Sequence, residues 1–114
     1  MVARIWRTGV KPERFEEYKR FARECSLPMF REQRGFIGVL FMRERADRAA
    51  VFTLWKDEKA VEELEASPLY RQTVEAILGS GLLASEQSVE VFEVHGGKVL
   101  ASELAAKLSS SSPS

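Results

Sequence analysis

The chain has 114 residues, 45% of them hydrophobic, enough for one small domain that folds without disulfides or a structural metal and too few for a second. Its 17 Lys and Arg balance 17 Asp and Glu, so neither nucleic acid nor an anionic membrane surface is expected as a partner. A single cysteine, Cys25, excludes an intrachain disulfide, and with one histidine, His95, far along the chain there is no metal-ligand spacing.

Residues 2–8 alternate as a first strand, with Val2, Arg4 and Trp6 on one side and Ala3, Ile5 and Arg7 on the other, ending at Gly9. Charges in this opening leave no apolar run for a signal peptide. No segment approaches the roughly 20 apolar residues of a membrane span, so a soluble, cytoplasmic protein is expected. Pro12 suits a first helical turn, with Glu13, Glu16 and Glu17 near the positive end of the helix dipole. Phe15, Tyr18, Ala22 and Cys25 follow the spacing of a buried stripe, which makes Cys25 a buried thiol rather than a nucleophile. Pro28 predicts a kink or stop near Ser26 or Leu27, then a short restart through residues 29–33.

Residues 35–42 and 49–55 write two strands with almost no polar face, joined by the charged turn 43–48. Phe36, Leu40 and Met42 are expected on one side and Ile37, Val39 and Phe41 on the other, so both faces need cover. Asp57 is the expected N-cap of a helix carrying Ala60, Val61 and Leu64. Ser67 and Pro68 restart helix, carrying Leu69, Tyr70, Val74, Ile77 and Leu78 up to Gly79. Residues 88–95 alternate as a last strand. A domain over residues 1–96 is thus followed by an extension over 97–114, with a short amphipathic helical pattern at 99–108 and a Ser-rich tail expected to be disordered.

The order β, α, β, β, α, β is the ferredoxin-like arrangement: an α+β fold with a four-stranded antiparallel sheet and helices on one face. Three or four large side chains left wet on the other face would forfeit about 1.5–3 kcal/mol each. A homodimer is therefore expected, its two sheets closing into a barrel, with the pocket either inside that barrel or between sheet and helices.

Four stretches stand in a familiar order and spacing: Ala3-Arg4-Ile5-Trp6-Arg7, Arg34-Gly35-Phe36-Ile37-Gly38 with Val39-Leu40, Thr53-Leu54-Trp55-Lys56-Asp57-Glu58-Lys59-Ala60, and Ser88-Val89-Glu90-Val91-Phe92-Glu93-Val94. Over roughly residues 2–95 the chain resembles the antibiotic biosynthesis monooxygenase family. That resemblance implies a dimeric α+β barrel, a fold shared with haem-degrading enzymes, cofactor-independent quinone-forming oxygenases and isomerases, so fold alone does not name the chemistry. Haem degradation is the less favoured branch. The asparagine, tryptophan and histidine that hold haem there fall near Arg7 and on Leu64 and Val74 here, and none is kept. The resemblance then implies oxidation of a small aromatic or quinol-type molecule by dioxygen, with no cofactor. The alternative is a non-catalytic or stress-related dimeric module that holds a small apolar ligand.

A cofactor-free oxygenase needs an apolar pocket, a base or hydrogen bond favouring the enolate or phenolate, and a cation to steady the developing charge. Trp6 and Trp55, with Phe41 or Phe52, are candidate walls, although large aromatics also serve as core or dimer contacts. Arg4 and Arg7 lie on opposite faces of the first strand, so at least one turns inward, into an ion pair with Glu90 or Glu93 or onto a ligand anion. Arg4 is the candidate anion stabiliser. His95, which titrates near neutrality, is the candidate base, though a strand end beside Gly96 and Gly97 also suits an exposed or interface histidine. Tyr70 is a candidate hydrogen-bond donor to the ligand, or closes the core edge. Arg43 and Arg45 are expected in solvent at the hairpin.

Overall fold

In the computed structural model, which describes residues 1–110, the first strand β1 (Val2–Gly9) lies between two others. The remaining strands are β2 (Phe36–Arg45), β3 (Arg48–Trp55) and β4 (Ser88–Glu93), and the antiparallel sheet runs β2-β3-β1-β4. A 3-10 turn (Pro12–Arg14) leads into α1 (Phe15–Phe21), a π turn (Ala22–Ser26) and α2 (Leu27–Arg31). Helices α3 (Glu58–Ala66) and α4 (Pro68–Gly79) follow β3, and α5 (Ala101–Ser110) closes the described chain. This is the ferredoxin-like α+β fold expected from the order of elements. No helix of the described residues is long and apolar enough to cross a membrane.

The helix does not break at Pro28. Proline has no N–H to give to the preceding turn, and the chain absorbs the loss by widening that turn, with the Leu27 N–H reaching the Ala22 carbonyl five residues back. The widened turn shifts the phase of the side chains. Cys25, expected in the buried stripe, is exposed, and Ser26 turns toward the sheet instead.

Strand β2 departs from its expected alternation for a similar reason. A register shift between Phe36 and Gly38 puts an extra residue opposite β3. Phe36, Val39 and Phe41 therefore share the face of Trp55, Thr53 and Val51, whereas Leu40 and Met42 join Phe52 and Ala50 on the other. Just before the strand, Gly35 has φ +78° and a Cβ there would lie 2.6 Å from the Cβ of Ala60. Its carbonyl also accepts from Lys56 N at 2.8 Å, so backbone and packing both demand glycine. Gly35→Ala is expected to cost about 1–3 kcal/mol, read as a lower urea midpoint.

Both expected caps are present: Asp57 Oδ1 accepts from Ala60 N at 2.9 Å and Ser67 Oγ from Tyr70 N at 3.3 Å. The helices cover one face of the sheet. At one end Val2, Val51 and Trp55 pack against Met29, Phe30 and Leu64; at the other Val10 and Ala49 meet Phe15, Tyr18 and Ile77. Arg43 is exposed at the hairpin, as expected, with its guanidinium carbon 3.7 Å from the centroid of the Phe15 ring and a donated bond to the Ala46 carbonyl. On the opposite face, Ile5, Leu40, Phe52 and Leu54 remain half-buried, and Met42 and Phe92 are 39% and 46% exposed. Strand β4 and residues 101–109 of helix α5 are exposed. Of the Ser-rich tail expected to be disordered, Ser109 and Ser110 end α5, and residues 111–114 lie outside the described residues.

Candidate functional site

A cleft of about 490 Å³, part of it open to solvent, runs between the helix-covered face of the sheet and helices α1, α2 and α4. Trp6, Phe41 and Val51 form its sheet side, Phe21 and Phe30 one wall, and Val74 and Ile77 the other. The lining is mainly aromatic and aliphatic, and its polar groups are few. Trp6 and Phe41 both line this cleft.

Arg4 enters from β1 with its side chain only 4% exposed. Its Nη2 donates to the Tyr70 hydroxyl at 2.9 Å and its Nε to Glu65 Oε2 at 3.3 Å, while the guanidinium carbon stands 5.4 Å from the Tyr70 ring centroid. Glu65 ends helix α3 and Tyr70 opens helix α4, so the joint at Ser67 places both on one arginine. The Tyr70 oxygen accepts from Arg4, which leaves its own hydrogen for another acceptor in the cleft. The ion pair to the last strand belongs to the other arginine: Arg7, on the opposite face, pairs with Glu90 across β1 and β4. Glu65, the carboxylate that Arg4 does use, was not legible as its partner in the sequence.

Trp55 corrects an expectation. It is fully buried, makes edge contacts with Phe30 and Phe36, and donates Nε1–H to Thr53 Oγ1 at 2.7 Å. It is a core residue behind the cleft rather than a wall, because the bulge in β2 brings Phe36 over it. His95 also falls outside the cleft. It follows β4 in exposed chain, where Val94 N donates to the Met1 carbonyl, and so stands at the Met1 end of the sheet and is not among the residues that line the cleft. The base expected of it has no place in the cleft.

Three lining residues with hydroxyl groups escaped the sequence reading: Tyr18, Ser26 and Thr73. Thr73 Oγ1 donates to the Leu69 carbonyl at 2.8 Å and is left only as an acceptor. Tyr18 reads as one more member of the α1 stripe, and the only signal against that is a hydroxyl where phenylalanine would suffice. Burial pushes Tyr18 up to about 12, so it stays protonated through the neutral range. Among the described residues no three His, Cys, Asp or Glu side chains assemble into a metal-binding group.

Comparison with protein families matches residues 1–76 to antibiotic biosynthesis monooxygenase. Among curated proteins none matches the chain. Among solved structures, a monooxygenase from the gene ActVA-Orf6 of Streptomyces coelicolor, in complex with nanaomycin D, superposes with a TM-score of 0.74 at 16% identity, covering 86% of this chain and 90% of that one. SnoaB of Streptomyces nogalater, a cofactor-independent oxygenase solved as a point mutant, gives 0.63 at 23% identity, covering 84% and 94%. NE2512 of Nitrosomonas europaea, a protein of unknown function, gives 0.71 at 18%, covering 86% and 92%. At these identities the structural likeness is one of fold. The match over the first two thirds of the sequence and the ferredoxin-like sheet together place the chain: it belongs to the antibiotic biosynthesis monooxygenase family.

Proposed function

We propose that the protein is a cytoplasmic, homodimeric, cofactor-independent monooxygenase that oxidises a small aromatic or quinol-type molecule with dioxygen. The observation that carries this reading is the buried Arg4, set with the Tyr70 hydroxyl in a cleft otherwise lined mainly by aromatic and aliphatic side chains. The rings suit a planar substrate, and the guanidinium with the phenolic hydrogen suits the oxyanion of its enolate or phenolate. The family membership and the fold shared with SnoaB support the same reading.

In this reaction the substrate ionises against Arg4, and its proton leaves to water at the cleft mouth. The electron-rich ring carbon passes one electron to dioxygen, and the resulting radical and superoxide combine to form a C–O bond. One proton completes a hydroperoxide. Loss of the last hydrogen on that carbon with cleavage of the O–O bond leaves a carbonyl and releases water, so a CH₂ and O₂ become C=O and H₂O. An oxygen electrode tests the proposal with a panel of dihydroxynaphthalenes and anthrones. Uptake of one O₂ per carbonyl formed is expected. No uptake above the protein-free rate across the panel overturns it, and retained ligand binding in that case favours the non-catalytic binding module.

The dimer follows from the uncovered face. Ile5, Leu40, Met42, Phe52, Leu54 and Phe92 form a continuous apolar surface on the side away from the helices, of the kind that a second sheet covers in a barrel. Light scattering at micromolar concentration is expected to give twice the 12.9 kDa of the chain. A monomer mass would remove the barrel from the proposal.

A further inference from the structure

Tyr18 is 6% exposed, packs its ring on Phe15 at 5.6 Å between centroids, and lines the cleft from helix α1. Among the described residues its hydroxyl makes no hydrogen bond, yet no side-chain oxygen or nitrogen there is both sealed from solvent and unpaired. The hydroxyl is therefore not sealed from solvent, and Tyr18 is one of the residues that line the cleft. A buried tyrosine hydroxyl ordinarily finds a partner. This one has none among the described residues, and it borders the space where a ligand enters.

The place of Tyr18 along the cleft matters as much as its free hydroxyl. Arg4 and Tyr70 stand at the end near Glu65, whereas Tyr18 belongs to the packing group of Val10, Ala49 and Ile77 at the far end.

We infer that the Tyr18 hydroxyl is a specificity contact, donating to a ligand oxygen at the end of the molecule opposite the oxyanion held by Arg4 and Tyr70. The inference rests on the proposed substrate class and narrows it. The preferred ligand is an aromatic body with oxygen functions at both ends of its long axis, one ionised and one a neutral carbonyl, ether or phenol. Tyr18 remains a protonated donor because its surroundings disfavour the phenolate.

Two redox-inert probes that differ by one hydroxyl group test this: 6-hydroxy-2-naphthoate and 2-naphthoate, titrated calorimetrically into the full chain. Wild type is expected to bind the hydroxylated probe about fivefold more tightly, the size of one net hydrogen bond. Tyr18→Phe, which keeps the ring and its packing on Phe15, is expected to bring that ratio to about one and leave 2-naphthoate binding unchanged. The same ratio in Tyr18→Phe as in wild type, an equal loss of both probes in a folded variant, or failure of either protein to bind overturns the inference. Should Tyr18→Phe misfold, the wild-type ratio still decides, because a value of one or below also overturns it. The measurement needs no turnover, so absence of dioxygen uptake sinks the oxygenase reading without touching this result.

Discussion

Replacing Arg4 by methionine is expected to lower kcat/KM in the oxygen-uptake assay by about a hundredfold or more, with little change in stability. A cation already in place where charge develops needs no reorganisation during the reaction, and in a water-poor cleft its effect is larger than in solution. Methionine has a similar length and fills the space under Tyr70 with apolar atoms. Glu65, whose side chain is 48% exposed, returns to water without penalty, so loss of the ion pair alone does not unfold the protein. Steady-state oxygen uptake and the urea midpoint, measured on the same preparation, separate two roles. Unchanged turnover with a lowered midpoint would make Arg4 a structural staple between β1 and the α3–α4 joint. Arg4→Lys is expected to fall between wild type and methionine, because an ammonium keeps the charge but cannot serve Tyr70 and Glu65 from one planar fork.

Trp55→Ala is expected to destabilise the fold by about 3–5 kcal/mol. The indole is 0% exposed, lies against Phe30 and Phe36, and gives Thr53 Oγ1 its donor. Truncation leaves a cavity that the sheet cannot collapse into, and takes the donor from a hydroxyl that is itself buried. For a domain of this size that is a large share of the total stability. Trp55→Phe keeps the edge contacts and is expected to cost about 1–2 kcal/mol, from lost volume and the lost hydrogen bond. Urea denaturation reads both. Trp6, half-buried in the cleft, behaves in the opposite sense: Trp6→Ala is expected to weaken naphthoate binding more than it lowers the midpoint. If Trp55→Phe weakened binding as much as Trp6→Ala, the assignment of Trp55 to the core would fail.

The sequence by itself determined the order of elements, the two caps at Asp57 and Ser67, and the sheet face that its own helices leave bare. These follow from local repeats: period two or 3.6, and side chains that serve a neighbouring N–H, need no knowledge of distant residues. It also named Arg4, Trp6, Phe41 and Tyr70, which the fold gathers into one cleft. Only the tertiary structure decided which arginine turns to the helices and which to Glu90, because alternation marks two faces without saying which one is covered. It also decided that Trp55 packs in the core, that Cys25 faces out, and that Leu40 and Met42 lie opposite Phe36. One inserted residue in strand β2 and one widened turn before Pro28 produce most of these changes. Each reverses or rotates every side chain beyond it, and each is settled by long-range packing rather than by the few residues where it occurs. Tyr18 belongs with these cases: a stripe position predicts that its ring is buried, and only the packed helices and sheet leave its hydroxyl without a protein partner beside the cleft.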